Sequence, residues 1–264
     1  MNLWVLDFDG VLFDTANEAA LMAYNAINDS SYLECDLLPS EYLKLFVANR
    51  FHVHTAGDFI TLARWCLTHA SNSDLVLSRA EFQTILKAEK APIARRQSLF
   101  FSTRDKVSSI DSNLWCKLNC PYAPLWDWLK SLDKKLFNQI VILTNKDKPS
   151  VLRLCAYFGL DFNPDNIFGA QDSKTKMENF EIIRSRFGKT FGNAISYCVV
   201  DDSIANLLDI YATISKDEQL KTSLKLYLAT WGYIGKEDVT RAKEYKFSVL
   251  IQAELIELLY RTEK

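Results

Sequence analysis

Asp7-Phe8-Asp9 places two carboxylates two residues apart, directly after the uncharged apolar run Leu3-Trp4-Val5-Leu6. Such a run reads as a strand buried on both faces, as in the middle of a parallel sheet. Open parallel sheets take their ligands at the carboxyl ends of the strands, which is where these two acids emerge. Unpaired buried carboxylates are costly, so a pair of them at this position is expected to do chemistry. Gly10 leaves room for the backbone to turn and for a substrate to approach.

Two further strand ends carry polar residues. Gln139-Ile140-Val141-Ile142-Leu143 ends in Thr144-Asn145-Lys146, and Ile195 to Val200 ends in Asp201-Asp202-Ser203. Parallel strand ends face one crevice, so these clusters are expected to converge. Several carboxylates held together repel unless a cation lies among them. Oxygen-only ligation with water left in the shell suits Mg²⁺. A metal on carboxylates implies a substrate with anionic oxygens, most plainly a phosphoryl group. In that chemistry Asp7 is the nucleophile that forms an aspartyl-phosphate. Asp9 protonates the leaving group and then deprotonates the attacking water. Thr144 and a lysine hold the phosphoryl oxygens, with Asn145 beside them on the substrate. The lysine is expected in Lys174-Thr175-Lys176, just before the helix that precedes the third strand.

The elements that must position these residues alternate along the chain. Beyond the first strand, from about Thr15 to about Asn119, good strands are lacking and helical spacing recurs. Ala19, Met22, Ala23 and Ile27 share one face; Phe59, Leu62, Ala63 and Cys66 share another. Gly57-Asp58 and Ser78-x-x-Glu81 read as helix starts, the latter a capping box. Strands and helices alternate again from Pro121, with strands at 139–143, 195–200, 224–228 and 247–251. A helix is expected over about Met177 to Phe187, stopping at Gly188. The fold class is α/β: a doubly wound parallel sheet core with an inserted all-helical cap domain, expected to sit above the carboxyl edge as a lid. Residues 1–15 and 120–264 form the core and 16–119 the cap.

In these residues the chain resembles the haloacid dehalogenase-like superfamily, in its phosphoglycolate phosphatase and β-phosphoglucomutase-like branch. Asp7-Phe8-Asp9-Gly10-Val11 is similar to the first motif, DxDx(T/V), and Thr144 in VILTN to the second. A lysine is the third, and Val199-Val200-Asp201-Asp202-Ser203 matches the acidic fourth. The resemblance spans nearly the whole chain. It implies a Rossmann-like core, a helical cap between the first two motifs, Mg²⁺ and phosphoaspartyl chemistry. By position, it makes Asp202 a direct Mg²⁺ ligand beside Asp7 and the backbone carbonyl of Asp9, with Asp201 in or near the metal shell. Asn206 falls where many relatives place another Asp. Many members have Lys-Pro at the third motif; here Lys174 precedes Thr, and counting back from Phe187-Gly188 favours Lys174 over Lys176. True haloacid dehalogenases lack the second Asp of the first motif, so Asp9 argues for phosphoryl transfer. Leu226 to Tyr233 looks like the strand and Trp-Gly-Tyr turn of phosphoglycolate phosphatase-like members, with Trp231-Gly232 read as packing against the sheet edge.

The expected activity is that of a Mg²⁺-dependent phosphatase on a small phosphorylated metabolite. Its rivals are a phosphomutase of the β-phosphoglucomutase type and a non-catalytic binding or regulatory protein. Substrate choice is expected in the cap, where Arg50 or Arg104 could pair with a second anionic group on the substrate. His52-x-His54 has the alternation of two ligands on one strand face but lacks a third.

Composition excludes other classes. The 264 residues carry 31 Lys+Arg against 33 Asp+Glu, a formal net charge of −2, far from a nucleic-acid binder's basic footprint. No apolar run is long enough to span a bilayer, and the N-terminus reads as a core strand rather than a signal peptide. The six cysteines form no CxxC pair, and Cys116-x3-Cys120 lacks a partner pair, so reduced thiols in a cytoplasmic protein are expected. There is no Walker loop or HExxH.

Overall fold

A computed structural model describes residues 1–72, 74–170, 174–191, 195–214 and 222–261. The chain divides into two compact units, Met1–Asp14 with Pro121–Lys264, and Thr15–Cys120.

The first unit is built on a six-stranded sheet of β1 (Asn2–Leu6), β2 (Ile140–Leu143), β3 (Ile167–Phe168), β4 (Ser196–Asp201), β5 (Leu224–Ala229) and β6 (Ser248–Leu250). Its order is β3-β2-β1-β4-β5-β6, with every pairing parallel. This is the doubly wound Rossmann-like order, which reverses direction beside β1 and so opens a crevice at the carboxyl ends of β1 and β4. Register is fixed on both flanks of β1: Trp4 lies opposite Ile140 on one side and Cys198 on the other. Parallel strands are covered on both faces and read as near-continuous apolar runs. Ile140–Leu143 is buried at every position, and Leu3, Val5, Val141, Val199 and Leu228 share one core with Phe180, Ile183 and Leu207.

The second unit is helical: α1 (Ala16–Asn28), α2 (Ser40–Ala48), α3 (Ala56–His69), α4 (Arg79–Ala88), α5 (Ile93–Ile110) and α6 (Ser112–Lys117). The expected starts are present. Asp58 accepts the Thr55 N–H at 2.9 Å ahead of α3. Ser78 and Glu81 close a capping box on α4, with Glu81 N–H to Ser78 Oγ at 3.2 Å and Ser78 N–H to Glu81 Oε2 at 2.7 Å. Ser78→Ala is expected to cost about 1 kcal/mol in denaturant unfolding, the typical worth of such a cap. Asn49 fastens the approach to α4: its amide donates to Leu45 O and Leu75 O, and its carbonyl accepts Leu77 N–H, all at 2.8–2.9 Å.

Helices of the first unit among the described residues include α7 (Ala123–Ser131), α8 (Lys134–Phe137), α9 (Lys148–Tyr157), α10 (Lys176–Phe191), α11 (Ile204–Ile214), α12 (Asp238–Glu244) and α13 (Gln252–Arg261). Two features depart from expectation. α10 continues through Gly188 to Phe191 instead of stopping at the glycine. The edge strand β3 was not foreseen, because two residues leave no periodicity to read. Among the described residues no helix is long and apolar enough to cross a membrane. None of the six cysteines, all of them among the described residues, forms a disulfide.

Candidate active site

β1 hands its last ladder bond to Asp7, whose N–H donates to Val200 O at 2.9 Å. The chain then turns sharply: Leu12 and Phe13 N–H both reach Phe8 O, and Gly10 N–H reaches Phe13 O. Gly10 sits at φ +85°, and a Cβ there would lie 1.9 Å from Asp202 Oδ2, so only glycine fits. Asp7 and Asp9 therefore leave the strand end on a loop pressed against the end of β4.

Asp7, Asp201 and Asp202 each offer a carboxylate oxygen within 4.8 Å of the others, and all three are buried. Lys176, buried at the first position of α10, lies 2.5 Å from Asp201 Oδ2 and 2.9 Å from Asp7 Oδ2. Asp201 also accepts Ser203 N–H at 2.9 Å and the Asn206 amide at 3.1 and 3.2 Å. An amide at position 206 thus supplies donors to a carboxylate where another Asp would repel it. Asp7 Oδ1 accepts Phe8 N–H at 2.7 Å. Burial pushes the Asp7 carboxyl up to about 7; Lys176 pulls the other way, and Asp201 adds to the rise. Burial alone would lower the Lys176 ammonium, but Asp201 and then Asp7 hold it above its ordinary value.

Thr144 is buried at the end of β2, its N–H on Phe168 O and its hydroxyl accepting Lys146 N–H at 3.2 Å. Asn145 follows it, half-buried. Lys146, absent from the sequence-based set, is buried with its ammonium 3.3 Å from Asp9 Oδ1. The signal was its place in Thr144-Asn145-Lys146, two residues past the strand.

The structure corrects the order of the two lysines: Lys174 is exposed, while Lys176 enters the cluster. The count from Gly188 failed because α10 does not end there. A better signal was Thr175-x-x-Glu178, a capping box whose Thr175 N–H reaches Glu178 Oε2 at 2.7 Å and whose Glu178 N–H reaches Thr175 Oγ1 at 3.2 Å. It makes Thr175 the cap and Lys176 the first helical residue.

Trp231-Gly232-Tyr233 does more than cover a sheet edge. Tyr233 N–H donates to Asp202 Oδ2 at 2.6 Å, Trp231 Nε1 to Val11 O at 2.9 Å, and the Tyr233 hydroxyl to Asp14 Oδ1 at 2.7 Å. A Cβ on Gly232 would lie 2.2 Å from Gly10 O and 2.6 Å from Asp202 Cβ. The turn after β5 thereby holds Asp202 against the loop after β1.

The two arginines expected to meet substrate are committed inside the helical unit. Arg104 is buried, its Nε and Nη2 on the two oxygens of fully buried Glu18 at 2.8 and 2.9 Å, and Trp115 Nε1 donates to the same carboxylate at 3.0 Å. Its guanidinium also lies 4.7 Å from the Phe100 ring centre. Arg50 is buried over Phe59 at 4.6 Å and donates to Val53 O at 3.3 Å. A buried charge requires such partners, which is why these side chains turn inward. His52 and His54 do not share a strand face either: His52 ends a single helical turn, with its Nε2 2.9 Å from Leu77 O.

No protein-family model matches the sequence, and no curated protein sequence matches it. Solved structures do. A predicted phosphoglycolate phosphatase from Haemophilus somnus is 18% identical, with a TM-score of 0.55 over 97% of this chain and 96% of that one. A predicted phosphatase from Clostridium acetobutylicum is 16% identical, with a TM-score of 0.54 over 98% of each chain. A haloacid dehalogenase-like family hydrolase from Streptococcus pneumoniae is 12% identical, with a TM-score of 0.51 over 97% and 96%. Likeness sustained along both chains at so low an identity belongs to the backbone, and it gives this chain the fold of the haloacid dehalogenase-like hydrolases.

Proposed function

We propose that the chain is a divalent-metal-dependent phosphatase that hydrolyses a small phosphorylated metabolite through an aspartyl-phosphate on Asp7. The observation that carries this reading is one buried lysine, Lys176, bridging Asp7 and Asp201 at the mouth of the sheet's switch point. Two of the similar structures are described as predicted phosphatases, which supports the same chemistry.

Asp7 attacks phosphorus, forming a carboxyl O–P bond as the ester P–O bond breaks. Asp9 gives its proton to the departing oxygen. Water then attacks the aspartyl-phosphate, its proton returns to Asp9, and inorganic phosphate leaves with Asp7 restored. Lys176 and the Thr144 hydroxyl donate to the phosphoryl oxygens, whose charge must be balanced during transfer. Asn145 is placed to join them on the substrate.

Three buried carboxylates against one ammonium leave excess negative charge on hard oxygen donors, which fits a divalent cation of the Mg²⁺ class. Asp201 is engaged by Lys176, Ser203 and Asn206, so Asp7 and Asp202, with the Asp9 carbonyl, are the proposed ligands and Asp201 orients the lysine. When bound, the ion would neutralise charge on the phosphoryl group. Six cysteines outside any disulfide suit the reducing cytoplasm as the site of action.

The test is phosphate release from a panel of phosphorylated metabolites with Mg²⁺ or EDTA. Release only with metal supports the reading; no release from any compound overturns it. The metal has its own readout in thermal melting. Mg²⁺ at about a hundredfold over its Kd is expected to stabilise by about 2.7 kcal/mol. Asp202→Asn is expected to remove that shift, and an undiminished shift in the variant would rule Asp202 out as a ligand.

A further inference from the structure

Each carboxylate of the Asp7/Asp9 pair has a buried ammonium beside it. Lys176 lies on Asp7. Lys146 lies 3.3 Å from Asp9 Oδ1, with its own side chain 1% exposed and that of Asp9 16%. The steps above use the first lysine and leave the second without a task. Lysine is almost never fully buried unless its charge is matched, so its position is specified rather than incidental. The backbone bears this out. Lys146 N–H is on the Thr144 hydroxyl at 3.2 Å, and Lys146 O accepts Ala170 N–H at 3.0 Å. A Cβ on Gly169 would stand 2.5 Å from Lys146 O and 2.9 Å from Lys148 N, so the 146–148 segment is locked against the end of β3.

We infer that Lys146 is a positioning residue that holds the Asp9 carboxyl in the orientation needed for proton transfer to the leaving oxygen. The inference rests on the phosphatase reading. It separates two ways a lysine could act near a phosphoryl group. An ammonium on the phosphoryl oxygens helps every ester alike. One that acts through Asp9 matters only where the leaving oxygen needs a proton. Alkoxides need it badly; a dinitrophenolate does not.

The experiment measures kcat/KM for two esters, the alkyl phosphate cleaved fastest in the metabolite panel and 2,4-dinitrophenyl phosphate. This parameter reports events up to phosphoryl transfer to Asp7, so hydrolysis of the intermediate does not blur it. Lys146→Met is expected to lose about 100-fold on the alkyl ester and less than about 3-fold on the aryl ester. In an Asp9→Asn background the same change is expected to add no further loss on the alkyl ester, because residues that act as a unit are not additive. Lys146→Gln, which keeps an amide donor, is expected to show the same ester selectivity and stands in if the Met variant does not fold. Equal losses on both esters, or a further loss in the Asp9→Asn background, would overturn the inference and leave the phosphatase reading standing. Wild-type protein inactive on both esters would overturn that reading and the inference with it.

Discussion

Asp7→Asn is expected to release phosphate at least about 10⁴-fold more slowly than wild type, the order of loss that follows removal of a nucleophile. The substitution is nearly isosteric, and the structure explains why the fold should tolerate it. The asparagine side chain retains a carbonyl oxygen for Phe8 N–H, which Asp7 Oδ1 now accepts at 2.7 Å. Lys176 keeps its shorter contact to Asp201. The amide lacks the charged oxygen that must bond to phosphorus. Purified variant should be checked by mass, since deamidation would regenerate aspartate and mimic residual turnover. A rate within tenfold of wild type in intact Asp7→Asn protein would remove Asp7 from the role of nucleophile.

Lys176→Met is expected to damage folding as well as catalysis. The lysine is the cation between two buried carboxylates, and breaking such an arrangement from one side costs about 3–5 kcal/mol because the remaining charges stay buried. Methionine preserves most of the volume, so the loss reports charge rather than a cavity. Phosphate release is expected to fall by about 10²–10³-fold, as when a preorganised donor to the reacting group is deleted. Lys174→Met is the internal control. Its side chain is exposed, and surface changes usually stay within about 0.5 kcal/mol. Denaturant unfolding of both variants, with metal chelated, separates the two positions; comparable losses would mean that Lys176 does not bridge the acids.

Legibility in the sequence followed the length of the physical signal. β1, β2 and the part of β4 before Asp201 stand out in the sequence as uncharged, largely apolar runs because central parallel strands are buried on both sides. The acids and the threonine at their ends followed by topology alone, and the structure brings Asp7, Asp201 and Asp202 together. β3 lies at the sheet edge with two residues, too few to carry a pattern. Counting back from Gly188 points to Lys174 because α10 runs past that glycine to Phe191, while the start of the helix carries the stronger mark in Thr175 and Glu178. Lys146 and the Tyr233 amide escaped because their partners, Asp9 and Asp202, are remote in sequence, and no spacing rule joins them. The pairing of Arg104 is hidden from the sequence for a related reason. Its counter-ion, Glu18, lies at the far end of the inserted segment, and a lone arginine in sequence reads as exposed.

The order of the sheet also bears on how the protein is made. β1 precedes all its partners in the chain, yet it lies at the centre of the sheet, flanked by Ile140–Ile142 and Ser196–Val200. Its backbone donors and acceptors have no ladder to join until both segments have emerged from the ribosome, with the whole of Thr15–Cys120 synthesised in between. The helical unit is assembled from contacts closer in sequence, the kind that form early, whereas distant parallel pairings form slowly. β1, which leads into Asp7 and Asp9, is thus an apolar segment in waiting during synthesis until Ile140–Ile142 and Ser196–Val200 take their places on either side of it.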